Sequence, residues 1–334
     1  MASALGQSFP FLAIAAILFL GQSESTPWFP WFFMVFYGLF FVATGIHNNV
    51  VHTLNGKLVR TTHRGRLITV SLTLGCPASI LVACLLMGQW LELPDRGFGY
   101  IFGFTGLVFF LIAGLAAFLA EPADSYSERA NGFLHHFGSA VQLLRRDKNF
   151  RRLGIVAALF GTVLMLFPHY QAMGRSYLDL DLSNLLLWVS VQNSGTCVVA
   201  LVAGPIADRY GNRLVVQLMT CCCAAPPLLA IVLGTLYPTI GREFFWTVFV
   251  LLGLTPVAIK ILANYTLEIV EKSEHPRALS TMYLCLATPI ILFSPVVGLA
   301  VSLTSFEAVF TAGAVCILSA SVLTLGLSEP RKRI

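Results

Sequence analysis

Along the chain, long apolar stretches alternate with short polar ones. Ten of them reach the roughly 20 apolar residues needed to cross a bilayer core. They are 1–22, 28–54, 67–88, 98–120, 153–173, 184–207, 214–236, 244–269, 278–303 and 306–327. Irregular backbone cannot face lipid, because its N–H and C=O groups would go unpaired. Each stretch therefore predicts a helix, and the fold class is all-α, a polytopic membrane bundle. The breaks are short except at 121–152. There SERANGFLHHFGSAVQLLRRDKNFRR places Phe133, Leu134, Phe137, Val141 and Leu144 on one helical face, which suits the membrane surface. The first stretch has no basic segment ahead of its apolar core, so it reads as a helix that stays rather than a cleaved leader.

Composition narrows the class. The chain is 57% hydrophobic and 11% charged, with a mean hydropathy of +0.79; soluble domains are about 25% charged. That excludes a soluble enzyme domain, a disordered tail and a nucleic-acid-binding module. The net charge of +5 comes from clusters between apolar runs, not from one basic face. Numbering the breaks alternately puts 17 Lys and Arg on the side of the termini and 3 on the other, with Lys260 inside a span. The bias predicts that the richer side, with both termini, is cytoplasmic, in a cell membrane. The eight cysteines (76, 84, 197, 221, 222, 223, 285 and 316) all lie in apolar runs without a CxxC pair, so no disulfide framework or metal site is read from them. His135 and His136, beside the amphipathic face, are not read as metal ligands, and nothing calls for a cofactor.

An internal repeat orders the spans. HTLNGKLVRTTHRGRL (52–67) aligns with YTLEIVEKSEHPRALS (265–280) at an offset of 213, matching Thr53 with Thr266, Leu54 with Leu267 and Arg64 with Arg277. Pro77 falls near Pro289, and FLAEP (118–122) aligns with GLSEP (326–330). The second copy holds six spans and the first copy four, matching the last four of the second. This divides the chain into an incomplete bundle at 1–122, a linker at 123–152 and a six-helix bundle at 153–334.

Between the sixth and seventh spans lies GPIADRYGNRLVV (204–216). Gly204 lets helices approach closely, Gly211 permits a tight turn, and Asp208 can face the positive end of a helix. The repeat suggests the helix that opens at HPRALS, with Pro276 in its first turn. The segment resembles the loop signature of the major facilitator superfamily, G-x-x-x-D-R-x-G-x-[RK], with Gly204, Asp208, Arg209, Gly211 and Arg213 matching; Asn212 and Pro205 depart from it. For Arg209 and Arg213, anchoring at lipid headgroups is the alternative reading. The LLRRDKNFRRL stretch (143–153) is similar to the family's entry into its seventh helix. The resemblance implies a secondary transporter whose signature loop closes the cytoplasmic side, and a chain that starts at the family's third helix.

Polar groups at membrane depth are costly and point to function. Lys260 is charged and inside a span, and the offset of 213 lands it on His47. Asn264 lies one turn beyond Lys260, and Asn48 adjoins His47. His169, Gln171, Gln192 and Asn193 also sit in spans. The resemblance implies that the helices of His47 and Lys260 line a central cavity. Snorkelling of Lys260 toward headgroups and packing roles for the histidines and amides are the alternatives. Lys260 with His47 favours an anionic solute, and His47 titrates where proton coupling operates. The expected partners are thus a small solute, H+ and the lipid bilayer, with no nucleic acid.

Other classes fare worse. There is no HExxH, GxSxG, intramembrane aspartate pair or cofactor loop for an embedded enzyme, so no catalytic residue is assigned. A receptor fits a buried lysine and a signature loop less well. A transport-incompetent fragment or a wrong start site of a transporter is the remaining alternative.

Overall fold

The computed structural model describes residues 1–21, 26–93, 96–119, 133–181 and 184–333, apart from the side chains of 133–137 and 332–333. Among them there is no strand. Ten helices are long and apolar enough to cross a membrane, and they coincide with the ten stretches read from hydropathy. They are α1 (Ala2–Phe19), α2 (Phe29–Leu58), α3 (Thr61–Leu91), α4 (Gly97–Ala116), α6 (Lys148–Leu178), α7 (Asn184–Tyr210), α8 (Asn212–Leu236), α10 (Trp246–Ile269), α11 (Lys272–Leu303) and α12 (Phe306–Thr324). Two further helices do not span: α5 (Phe133–Arg146) and α9 (Pro238–Phe244). The spanning helices are not uniform. α3 opens with a 3-10 turn at Thr61–His63 and widens to a π turn at Ala83–Met87; α8 ends in a π turn at Val232–Leu236.

The chain divides into two compact units, Met1–Leu54 with Leu81–Glu128, and Asn55–Ile80 with Arg129–Ile334. In the first, α1 packs closely along α4. A Cβ at Gly106 would lie 2.8 Å from Leu12, and one at Gly99 3.2 Å from Phe19; small residues in membrane helices permit such approach. Ser8 donates to the Gly106 carbonyl at 2.8 Å. Phe11 stacks on Phe40 with ring centroids 4.2 Å apart and meets Phe102 and Phe109 in tilted contacts.

The second unit holds two cores. One gathers Phe150, Leu153 and Ala157 of α6 with Ala200 and Ala203 of α7, Val257 and Ile261 of α10, and Ile317 of α12; the other centres on Tyr170, Trp188, Phe249 and Phe310. α6 starts where Asp147 accepts from the N–H groups of Asn149 (2.7 Å) and Phe150 (3.0 Å), two donors with no partner inside the helix. α7 and α10 cross at Gly195 and Gly253, where Thr196 donates to the Gly253 carbonyl at 3.0 Å and a Cβ on Gly253 would lie 2.5 Å from the Thr196 nitrogen. α11 carries Pro289 and Pro295, and apolar side chains from Ile291 onward, including Ile291, Leu292 and Leu303, are exposed, as lipid-facing residues of a membrane helix are.

One surface expectation changes. Helix α5 does form, but Ala140 and Leu143 are buried in the protein, Leu144 packs on the α6 side of the core, and Arg277 donates to the Ser139 carbonyl. This part of α5 packs on protein rather than on the membrane surface, because α6 and α11 offer it apolar cover. The expected face at Phe133, Leu134 and Phe137, with His135 and His136, lies outside the described side chains.

Candidate functional site

α3 and α7 approach through two glycines. A Cβ on Gly65 would fall on the Gly204 carbonyl oxygen, and one on Gly204 would lie 2.5 Å from the Gly65 carbonyl. With no side chain between them, the Asp208 carboxylate reaches the first turn of the α-helical part of α3. It accepts from the N–H of Gly65 at 2.7 Å and from that of Arg66 at 2.8 Å. First-turn N–H groups have no intrahelical acceptor and carry the positive end of the helix dipole, so one carboxylate satisfies two donors and their field. Thr69 fastens the crossing one turn on, donating to the Ala200 carbonyl at 2.9 Å. The Asp208 side chain is 9% exposed, and Arg66, 3.9 Å away, is far more open.

The partner of Asp208 is thus α3, at HRGRLI, and not α11 at HPRALS as the repeat suggests. The physical reason is steric: Gly65 leaves room for Gly204 and Asp208, whereas the position equivalent to it at the offset of 213 is Ala278.

The rest of the signature loop divides its labour. Gly211 has φ of +95°, a conformation that favours glycine, and a Cβ there would lie 2.9 Å from Glu329 Oε1. Arg213 donates to the Leu325 carbonyl at 2.9 Å, and Arg209 lies over the Tyr210 ring at 5.3 Å. Neither is bound to Asp208 or Glu268. Arg331 takes that place. It donates to Glu268 Oε1 from Nη2 (2.7 Å) and Nε (3.2 Å), and to the Asp208 carbonyl from Nη1 (2.7 Å). Its Nη2 also reaches the Thr61 carbonyl at 3.4 Å. Asn212 donates to Glu268 Oε1 at 2.8 Å. Arg64, buried, donates to the Gly56 (3.0 Å) and Val59 (3.3 Å) carbonyls at the end of α2.

The eight residues expected in a cavity fall in separate places. In the first unit, His47 Nδ1 is 3.2 Å from Ser3 Oγ, and Asn48 is exposed. In the second, His169 and Gln171 lie half-buried on α6 after Pro168, and Gln192 and Asn193 half-buried on α7. Asn193 donates back to the Val189 carbonyl of its own helix at 2.9 Å, the helix-packing alternative for that residue. Lys260 is half-buried on α10; Asn264 is 3% exposed with its Nδ2 unpaired. Among the described residues no hydrogen bond joins any of the eight to another.

Sequence reasoning missed three groups. Gln7, 3% exposed, donates to Thr44 at 2.9 Å, so Ser3 and Gln7 of α1 face Thr44 and His47 of α2. Their spacing of about one turn on both helices was the available signal. The pairing of Glu268 with Arg331 is the second; nothing local in sequence pairs residues 63 positions apart. Gly65 carried the third signal, as the small partner Gly204 needs.

Ten membrane-crossing helices with a loop carboxylate seated on a neighbouring helix start define a polytopic membrane protein of transporter fold. Over 98% of this chain the fold is similar to the E. coli fucose:proton symporter, with a TM-score of 0.68, 12% identity and 84% of that chain covered. It is similar to a bacterial homologue of the iron transporter ferroportin in its outward-facing state (TM-score 0.67, 13% identity, 97% of this chain and 81% of that one). It also resembles the human organic anion transporter TETRAN (TM-score 0.69, 16% identity, 96% and 76%). No curated protein matches the sequence. Residues 176–334 match the family model Major Facilitator Superfamily, and the fold is similar to that of these transporters over nearly the whole length of the chain.

Proposed function

We propose that the protein is a secondary active transporter that moves a small solute by alternating access, with the 204–213 loop as its gate. The observation that carries this reading is the Asp208 carboxylate on the Gly65 and Arg66 amides, which ties two spanning helices together by bonds that a rigid-body movement can break. The basic end, holding both termini, faces the cytoplasm of the cell membrane. In this reading the two rocking bodies are the bundles expected from the repeat, 1–122 and 153–334, joined by 123–152. The solute site is drawn from His47, Asn48, His169, Gln171, Gln192, Asn193, Lys260 and Asn264. Lys260 favours an anionic solute, and His47 couples transport to H+, histidine being the side chain that ordinarily changes charge near neutral pH.

Reconstitution in liposomes tests the reading. Labelled anionic solutes should enter faster than neutral ones of equal size, and Lys260→Gln should lower anion uptake by about tenfold, the factor that goes with ~1.4 kcal/mol. Equal entry of both classes, or indifference to Lys260→Gln, removes the anion assignment. Uptake should respond to an imposed pH gradient and lose that response in His47→Ala; an unchanged response removes the proton role. If Asp208→Asn neither changes uptake nor frees the Gly65 and Arg66 amides, the gate itself is wrong.

A further inference from the structure

The segment following α12 returns to the loop. Ser328 donates from its backbone N–H to Asn149 Oδ1 at 2.8 Å and accepts from the Tyr265 hydroxyl at 2.8 Å. Arg152 donates to the Gly326 carbonyl. These bonds deliver Arg331 to a place where three helix ends meet. The Asp208 carbonyl belongs to the last turn of α7, Glu268 to the last turn of α10, and Thr61 to the start of α3.

A guanidinium there answers a specific electrostatic need. Glu268 is 2% exposed and sits at the negative end of the α10 dipole, where a carboxylate is disfavoured. Its Oε1 is bonded, while Oε2 is buried without a hydrogen-bond partner. A buried carboxylate needs a cation as well as hydrogen bonds. Arg64 acts on it through space, but Arg331 is the cation that bonds it. The planar fork of Arg331 spans Glu268 and the Asp208 carbonyl together. Asp208 is therefore held from both sides: its carboxylate by the α3 amides and its carbonyl by Arg331.

We propose that Arg331 is a positioning residue for the gate, a latch that holds Asp208 on α3 and lets go when the loop moves. This rests on the gate reading of Asp208. The closed arrangement needs Arg331 on Glu268 and the Asp208 carbonyl, and breaking those bonds frees the first turn of α3.

Hydrogen exchange read by mass spectrometry on the whole protein tests the latch, because the Gly65 and Arg66 amides are the ones Asp208 binds. In Asp208→Asn, peptides covering 64–68 should exchange at least about tenfold faster, equivalent to ~1.4 kcal/mol. Arg331→Met should give a similar acceleration there while peptides from the α7–α10 crossing stay protected, and Arg331→Lys should restore part of the protection. The double variant Glu268→Gln with Arg331→Met leaves no unpaired carboxylate, so it folds without that stress and should still exchange fast. Wild-type protection in a folded double variant overturns the latch. Acceleration in Asp208→Asn but none in Arg331→Met overturns the latch and leaves the gate; acceleration in neither overturns both. Equal acceleration across the whole chain in Arg331→Met means general destabilisation and also overturns it.

Discussion

Two helix starts in the second unit carry related sequences and are held in different ways. α3 opens at THRGRL, α11 at EHPRAL, and Arg64 aligns with Arg277. At α3 a carboxylate from another helix sits on the first-turn amides. At α11 Pro276 occupies the first turn, where a missing N–H costs nothing. His275 donates to the Leu267 carbonyl at 3.1 Å, and Arg277 reaches the Ser139 carbonyl of α5. The position that separates them is the one after the arginine. Gly65 has no Cβ and admits Gly204; Ala278, fully buried, has one. A single methyl group thus decides which helix start can accept the signature loop.

The largest test of that contrast is Gly65→Ala. Its Cβ would fall on the Gly204 carbonyl and lie 2.7 Å from Asp208 Oδ1, so the helices must separate. Overpacking of this kind costs about 1–3 kcal/mol, and loss of the Asp208 bonds adds to it; thermal unfolding in detergent should show a lower Tm. An unchanged Tm would mean that the close approach does not govern the contact. Asp208→Asn comes next. It keeps the shape and loses the charge on the helix start, for about 1 kcal/mol, visible in the same melt. Away from either start, Gly298→Ala within α11 meets no heavy atom within 4 Å and should stabilise by about 0.5–1 kcal/mol through helix propensity. A loss there would show hidden crowding on α11. The smallest effect belongs to the α11 start. Glu274 is 3.9 Å from the open Arg146, and Glu274→Gln should change stability by less than about 0.5 kcal/mol. A change as large as that of Asp208→Asn would make the two starts equivalent.

The ten spans were legible because lipid demands about 20 apolar residues in a row and nothing else in the chain imitates that length. The helix α5 was legible from its 3.6-residue pattern, but not what covers it, since an apolar stripe reads alike whether lipid or protein lies over it. Within the loop, Gly211 and Asp208 announced a turn and an acceptor. Their target did not follow from the repeat, because the repeat makes Arg64 and Arg277 equivalent and the decisive difference is the hydrogen or methyl on residues 65 and 278. Arg331 was the least legible. Its bonds to Glu268 and Thr61 span 63 and 270 positions, far beyond any local pattern.

That last separation bears on how the chain is assembled. Domains and helices emerge in order during synthesis, so α3, α7 and α10 are all in place before the ribosome has added α12 and the residues behind it. Until then Glu268 waits at the end of α10 without the cation that bonds it, and the joint among the three helix ends stays provisional. Arg331 thus closes a joint among helices made before it, and a nascent chain stalled before Arg331 is the form that quality-control proteases should find open.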